Sequence, residues 1–84
     1  MWYVYILECK DDRLYTGITK DLTRRLKEHQ AGRGGRFTRT FGAKQFIYQE
    51  EHPTREDALR REAHIKTWPR LKKLKLVFTK KYFK

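Results

Sequence analysis

Eight successive residues near the start, Trp2-Tyr3-Val4-Tyr5-Ile6-Leu7-Glu8-Cys9, form a run interrupted only by Glu8. A strand with one face in water alternates apolar and polar positions, whereas one apolar at consecutive positions needs cover on both faces. The remaining elements of an 84-residue chain must supply that cover. The charged turn Lys10-Asp11-Asp12-Arg13 follows, then a second short apolar strand, Leu14–Ile18. Together they predict an antiparallel hairpin.

Asp21 is a good N-cap for a helix running to Ala31 and ending at Gly32. Gly32-Arg33-Gly34-Gly35-Arg36 reads as a flexible basic loop whose glycines admit a phosphate backbone. A third, loosely alternating strand is expected over Lys44–Glu51, and His52-Pro53 breaks it. Thr54 should cap a second helix reaching about Thr67, with Asp57 as its capping-box partner. Pro69 ends that helix or opens a short one to Leu76. The order β-β-α-β-α implies an α+β fold, a small sheet with helices against it. Residues 1–84 read as a single domain with a basic C-terminal tail from about 69 to 84.

The charge is one-sided, with 21 Lys and Arg against 10 Asp and Glu, a net +11. Pro69–Lys84 holds seven basic residues and no acidic one, and Arg33, Arg36, Arg39 and Lys44 also stand without a carboxylate nearby in sequence. Such clusters attract nucleic acid, because neutralising phosphates releases counterions. They are interleaved with Phe37, Phe41, Phe78, Tyr82 and Phe83. The plainer reading is a solvated basic surface. Cys9 is the only cysteine, so an intramolecular disulfide and a Cys-based zinc site are both excluded. No stretch has the length or character of a signal peptide or membrane span, so no membrane partner is expected and a cytoplasmic location is.

Helical projection turns several polar residues inward. Leu22 and Leu26 mark the inner stripe of the first helix; Arg25 and His29 lie beside it, while Arg24 faces solvent. In the second helix Glu62 falls within an apolar arc edged by Ala58 and Ile65 on one side and Ala63 on the other. Arg55 and Lys66 are close to Glu62, and Arg60, Arg61 and His64 point away. Buried charges cost desolvation energy unless compensated. An Arg25–Glu62 ion pair tying the helices together would account for both. Taken with Tyr5 and Tyr15, however, the set fits phosphoryl-transfer chemistry. Arg25 suits a phosphate, and Glu62 can hold one hard divalent cation.

At these residues the chain resembles the GIY-YIG nuclease family. Tyr3-Val4-Tyr5 and Tyr15-Thr16-Gly17 are similar to the two motif halves, Thr19–His29 to the motif helix, and Ala58–Glu62 to the helix that carries the metal ligand. The resemblance implies a three-stranded antiparallel sheet flanked by helices. It implies Tyr5 as general base, Tyr15 as supporting phenol, and Gly17 as a close-packed motif glycine. It also implies Arg25 as phosphate-binding cation, His29 as the residue tuning the tyrosines, and Glu62 as ligand of a single Mg²⁺ or Mn²⁺. Lys66 is placed as support for Glu62. Arg33, Arg36, Arg39, Lys72, Lys73 and Lys75 are placed on the nucleic acid. Tyr3 stands at a motif glycine, Thr16 at a motif isoleucine, and the chain has no Asn.

The leading expectation is a metal-dependent endonuclease on DNA, branched or flapped forms included, with RNA not separated from DNA. Its specificity is expected from the basic loop, the tail or a protein partner. The alternative is a non-catalytic or partner-dependent nucleic-acid-binding module with the same fold. Geometrically, Tyr5, Tyr15, Arg25, His29 and Glu62 should share one concavity.

Overall fold

The computed structural model describes the backbone of residues 1–83 and the side chains of residues 1–79. The side chains of Tyr82 and Phe83 therefore lie outside the described residues. The doubly apolar segment becomes β1 (Trp2–Cys9), the middle strand of an antiparallel sheet with order β2-β1-β3. Its neighbours are β2 (Leu14–Thr19) and β3 (Ala43–His52). Val4 and Ile6 turn to one face; Tyr5, Leu7 and Cys9 turn to the other, and all five are buried.

Each face has its own cover. Leu22 and Leu26 of α1 (Leu22–Gln30) and Phe37 and Phe41 of α2 (Arg36–Phe41) pack on the Tyr5 face. Ala58 and Ile65 of α3 (Arg55–Lys66), with Leu76 and Val77 of α4 (Arg70–Phe83), pack on the Val4 face. The fold is the expected α+β arrangement with two additions, the short α2 and an α4 longer than expected. Among the described residues no helix is long and apolar enough to cross a membrane.

Local chemistry explains most boundaries. The β1–β2 turn closes with Cys9 N–H on the Arg13 carbonyl at 2.8 Å and puts Asp12 at φ 71°, a conformation aspartate tolerates better than most residues. Asp21 Oδ1 accepts from Arg24 N–H at 3.0 Å and starts α1. Thr54 Oγ1 accepts from Asp57 N–H at 3.1 Å and starts α3. Glycines with positive φ flank α2, Gly35 at 140° and Gly42 at 75°. The loose alternation of β3 arises from two register shifts, between Ile6 and Leu7 and between Glu8 and Cys9 of its partner. Past the first shift Phe46 joins the Tyr5 face while Ile47 and Tyr48 join the Val4 face.

Two expectations for α3 are corrected. Ala63 is exposed and does not edge the buried face. Arg61 does not point away: its Nε donates to Glu50 on β3 at 3.0 Å, and its guanidinium lies 5.3 Å from the Trp68 ring. The inward stripe is thus Ala58, Arg61, Glu62 and Ile65. The projection put Arg61 just outside the arc edged by Ile65, and nothing within α3 signals its inward turn, because Glu50, the partner that compensates its partial burial, comes from a distant strand. Arg55, expected beside Glu62, lies 5.7 Å from the Trp2 ring.

Candidate active site

The site begins where Tyr5 on β1 faces Gly17 on β2 across the ladder. The phenol folds over its neighbour, so a Cβ on Gly17 would come 2.6 Å from Tyr5 Cζ and 3.2 Å from Tyr15 Cε1. Gly17 is glycine because the two tyrosines occupy the space a side chain would need. The two rings stand 6.4 Å apart, and His29 comes down from α1 with its ring 5.7 Å from Tyr5 and 5.5 Å from Tyr15.

Both ring nitrogens of His29 are engaged. Nε2 lies 2.7 Å from Tyr5 Oη, and Nδ1 lies 2.7 Å from Thr38 Oγ1 on α2. Thr38 in turn donates to the Gly35 carbonyl at 3.5 Å. One set of protons satisfies the whole chain: Tyr5 O–H donates to Nε2, Nδ1–H to Thr38, and Thr38 O–H to Gly35. Burial, reinforced by the Arg25 charge, pushes the His29 pKa down to about 4, against a smaller upward pull from Glu28. The imidazole is neutral at pH 7.

Arg25 closes the other side of the phenol. Its Nε donates to Tyr5 Oη at 3.4 Å, Nη1 to Glu28 at 3.2 Å, and Nη2 to the Gly34 carbonyl at 2.7 Å. Burial works against its charge, but the hydrogen bonds and charges of Tyr5 and Glu28 hold its pKa above the ordinary arginine value. Burial also dominates Tyr5, pushing the phenol up to about 12. Arg25 pulls it down, while Tyr15 and Glu62 push it further up.

Glu62 joins from the flank. α3 backs the opposite face of the sheet from α1, so Glu62 is not a fifth member of one simple bowl. Its carboxylate is held by Lys66 one turn on, at 3.4 Å, and Lys66 Nζ stands 5.9 Å from the Tyr15 ring at the β2 edge. The charge of Glu62 still reaches Tyr5. The tie between helices by an Arg25–Glu62 ion pair is not formed; Glu28 takes the arginine and Lys66 the glutamate.

The glycine loop has a structural use that the sequence reading did not include. Gly34 is buried against the imidazole, where a Cβ would lie 2.5 Å from His29 Cγ, and its carbonyl holds Arg25. It is a wall of the site, and its basic neighbours Arg33, Arg36 and Arg39 are exposed around it. On α4, Lys72 and Lys75 are exposed and Lys73 is half-buried. Sequence reasoning missed Thr38, Gly34 and Glu28. Donor arithmetic was the one usable signal: a buried histidine has two nitrogens to satisfy, and Tyr5 can serve only one. A second polar partner was therefore required, although nothing pointed to Thr38.

A single carboxylate is what a site completed by its substrate offers a hard cation. Mg²⁺ is commonly held by one or two carboxylates with water and substrate phosphates. Among the described residues no three His, Cys, Asp or Glu side chains gather as a closed metal site. Glu62, 17% exposed at its side chain, fits the smaller role.

Residues 1–75 match the family model described as the GIY-YIG catalytic domain. The chain is similar to the UPF0213 protein SSP2268 of Staphylococcus saprophyticus, with 47% identity over 89% of this chain and 92% of that protein. It is also similar to the UPF0213 protein SAV0488 of Staphylococcus aureus, with 43% identity over the same shares. The solution NMR structure of the UPF0213 protein BH0048 from Bacillus halodurans is 44% identical and covers 95% of this chain and 86% of that one, with a TM-score of 0.61.

Proposed function

The chain belongs to the GIY-YIG catalytic-domain family, and from that premise we infer that it is a metal-dependent endonuclease hydrolysing phosphodiester bonds in DNA. The observation that carries the reading is the position of the Tyr5 oxygen, 2.7 Å from His29 Nε2, an acceptor in the proton arrangement that satisfies the whole chain of hydrogen bonds, and 3.4 Å from Arg25 Nε. A phenol with a pKa near 12 is no free phenolate at pH 7. Tyr5 acts as a base only while passing its own proton to His29, and the neutral imidazole is the form that accepts it.

The steps follow. A strand phosphate draws Arg25 outward, since guanidinium matches phosphate oxygens in bidentate fashion. That movement opens Tyr5, which is only 1% exposed. Water loses a proton to Tyr5 Oη as Tyr5 gives its own to Nε2. The water oxygen bonds to phosphorus, the opposite P–O bond breaks, and solvent protonates the leaving oxygen. Arg25 neutralises charge on the phosphoryl oxygens. Tyr15 walls the phenol, and Lys66 positions Glu62. Glu62 would hold one Mg²⁺ or Mn²⁺, which would supply Lewis-acid stabilisation of the charge that develops in the reaction. Arg33, Arg36, Arg39, Lys72, Lys73 and Lys75 carry the rest of the strand. Branched or flapped DNA is the substrate we favour, with a protein partner supplying specificity.

The test is cleavage of labelled duplex, flap, junction and single-stranded substrates, RNA included, with Mg²⁺ or Mn²⁺. Tyr5→Phe removes a hydroxyl and Glu62→Gln a charge; each should abolish cleavage and leave DNA binding nearly intact. Equal rates for wild type and both variants would refute the site. Tight wild-type binding with no cleavage would replace the reading with the binding module.

A further inference from the structure

A cleft of about 270 Å³ opens beside the Tyr5 cluster and is walled by Arg13, Leu14, Phe37, Arg70 and Lys73. Its three cations come from two places far apart in sequence: Arg13 from the β1–β2 turn, Arg70 and Lys73 from the first turns of α4. No wall residue is acidic. Lys73 is half-buried and has no carboxylate partner among the described residues. Burial, and then the charge of Lys66, push its pKa below the usual lysine range. Cations gathered in a partly desolvated cleft repel one another unless an anion joins them.

Two of the three cations, Arg13 and Arg70, are also held in place. One Arg70 Nη donates to the Asp12 carbonyl, so α4 is pinned to the β1–β2 turn. Arg13 Nε bonds Asp11 at 2.7 Å, and its guanidinium carbon lies 4.1 Å from the Phe41 ring centre. Asp11 offsets part of the Arg13 charge, but neither Arg70 nor Lys73 has such an offset among the described residues. Fixed guanidinium groups lose less entropy on binding an anion than free ones do.

The position of the cleft says which anion. Phe37 is a wall of the cleft and also stacks 5.6 Å from Tyr15. Lys66 acts on Lys73 on one side and stands 5.9 Å from Tyr15 on the other. The cleft thus continues from the Tyr15 side of the cluster, where a strand crossing the site would leave it. We propose that Arg13, Arg70 and Lys73 form a second phosphate seat, holding a phosphodiester of the substrate strand next to the one presented to Arg25 and Tyr5. This rests on the nuclease reading above. The seat fixes where along a strand the scissile bond falls, and Arg13 and Arg70 become determinants of cleavage position.

The test uses the full chain. Inorganic phosphate titrated into ¹⁵N-labelled wild-type protein should shift the amides of Leu14, Phe37, Arg70 and Lys73 first. Shifts absent at Leu14, Arg70 and Lys73, or confined to residues 33–39, would overturn the proposal. The double variant Arg70→Gln/Lys73→Gln should keep the dispersed spectrum of the fold and lose those shifts. Its duplex-DNA affinity should depend less steeply on salt, the log–log slope falling by about 0.9 for one phosphate. Phosphate shifts in the wild type together with an unchanged slope in the variant would mean a free-phosphate site and would overturn the strand seat. Wild-type protein that binds and cleaves DNA alongside an unchanged double variant would overturn the seat alone. Wild-type protein that neither binds nor cleaves DNA would overturn both readings, whatever phosphate does.

Discussion

Acidification from pH 7 to pH 4 is expected to remove about 3 kcal/mol of stability through His29 alone. In the folded chain the imidazole titrates near 4, against 6.5 for an unperturbed histidine, because it is sealed between Tyr5, Thr38 and Gly34. Between those values the unfolded chain binds the proton and the folded chain does not. Stability is therefore complete above about 6.5, falls as pH falls, and stops falling on this account below about 4. A span of about 2.5 pH units at about 1.4 kcal/mol each gives the figure. The loss is a large part of what a small domain has in hand. The measurement is urea unfolding of wild type and His29→Gln at intervals from pH 7 to pH 4. Glutamine cannot titrate, and carboxylates such as Glu50, kept below their usual range by Tyr48, His52 and Arg61 against the effect of burial, contribute equally to both proteins. The variant should be the less stable at pH 7, and the gap should narrow by about 3 kcal/mol on acidification. Two curves that stay parallel across the window would show that folded His29 takes up its proton at an ordinary pH. The burial-driven shift assigned to the imidazole would then be wrong.

Two other outcomes are expected. Gly17→Ala puts a methyl group into the space held by Tyr5 Cζ and Tyr15 Cε1, and such overpacking costs about 1–3 kcal/mol, read as a lower thermal midpoint; a variant as stable as the wild type would show that the phenols have room to shift. Replacing Arg33, Arg36 and Arg39 with Ala should weaken DNA binding across sequences and reduce the salt slope by up to ~2.7, about 0.9 per phosphate contact, without changing stability at low salt; unchanged affinity would make that surface a solvated connector.

The α+β architecture and most element positions were legible in the sequence for a simple reason. Trp2–Cys9 is apolar at consecutive positions, Asp21 and Thr54 are local caps, and Leu22, Leu26, Ala58 and Ile65 follow helical spacing; each signal lies within a few residues of what it specifies. Arg25 and His29 were legible on the same ground, since their distance from Leu22 around the helix is set by the helix itself. The resemblance to GIY-YIG nucleases, carried by Tyr5, Tyr15, Gly17, Arg25 and Glu62, is matched by the family model over residues 1–75.

What the chain does with its other polar residues was decided by contacts between distant segments. α2 has only six residues, too few for a helical period to stand out, and it exists because Phe37 finds Tyr15, Phe41 stacks on Phe37 and Thr38 finds His29. Arg61 turns inward because Glu50 is there to receive it, and Gly34 is glycine because an imidazole fills the space beside it. Which carboxylate neutralises Arg25 was equally out of reach: the pairing with Glu62 that the inner faces suggested is not formed, because the helices lie on opposite faces of the sheet, and Glu28, one turn on, takes the arginine. By itself the sequence determined the periods, the caps and the types of group available. Only the tertiary structure decided which groups meet, because the free energy of a buried charge or hydroxyl depends on its partner, and that partner is chosen in space.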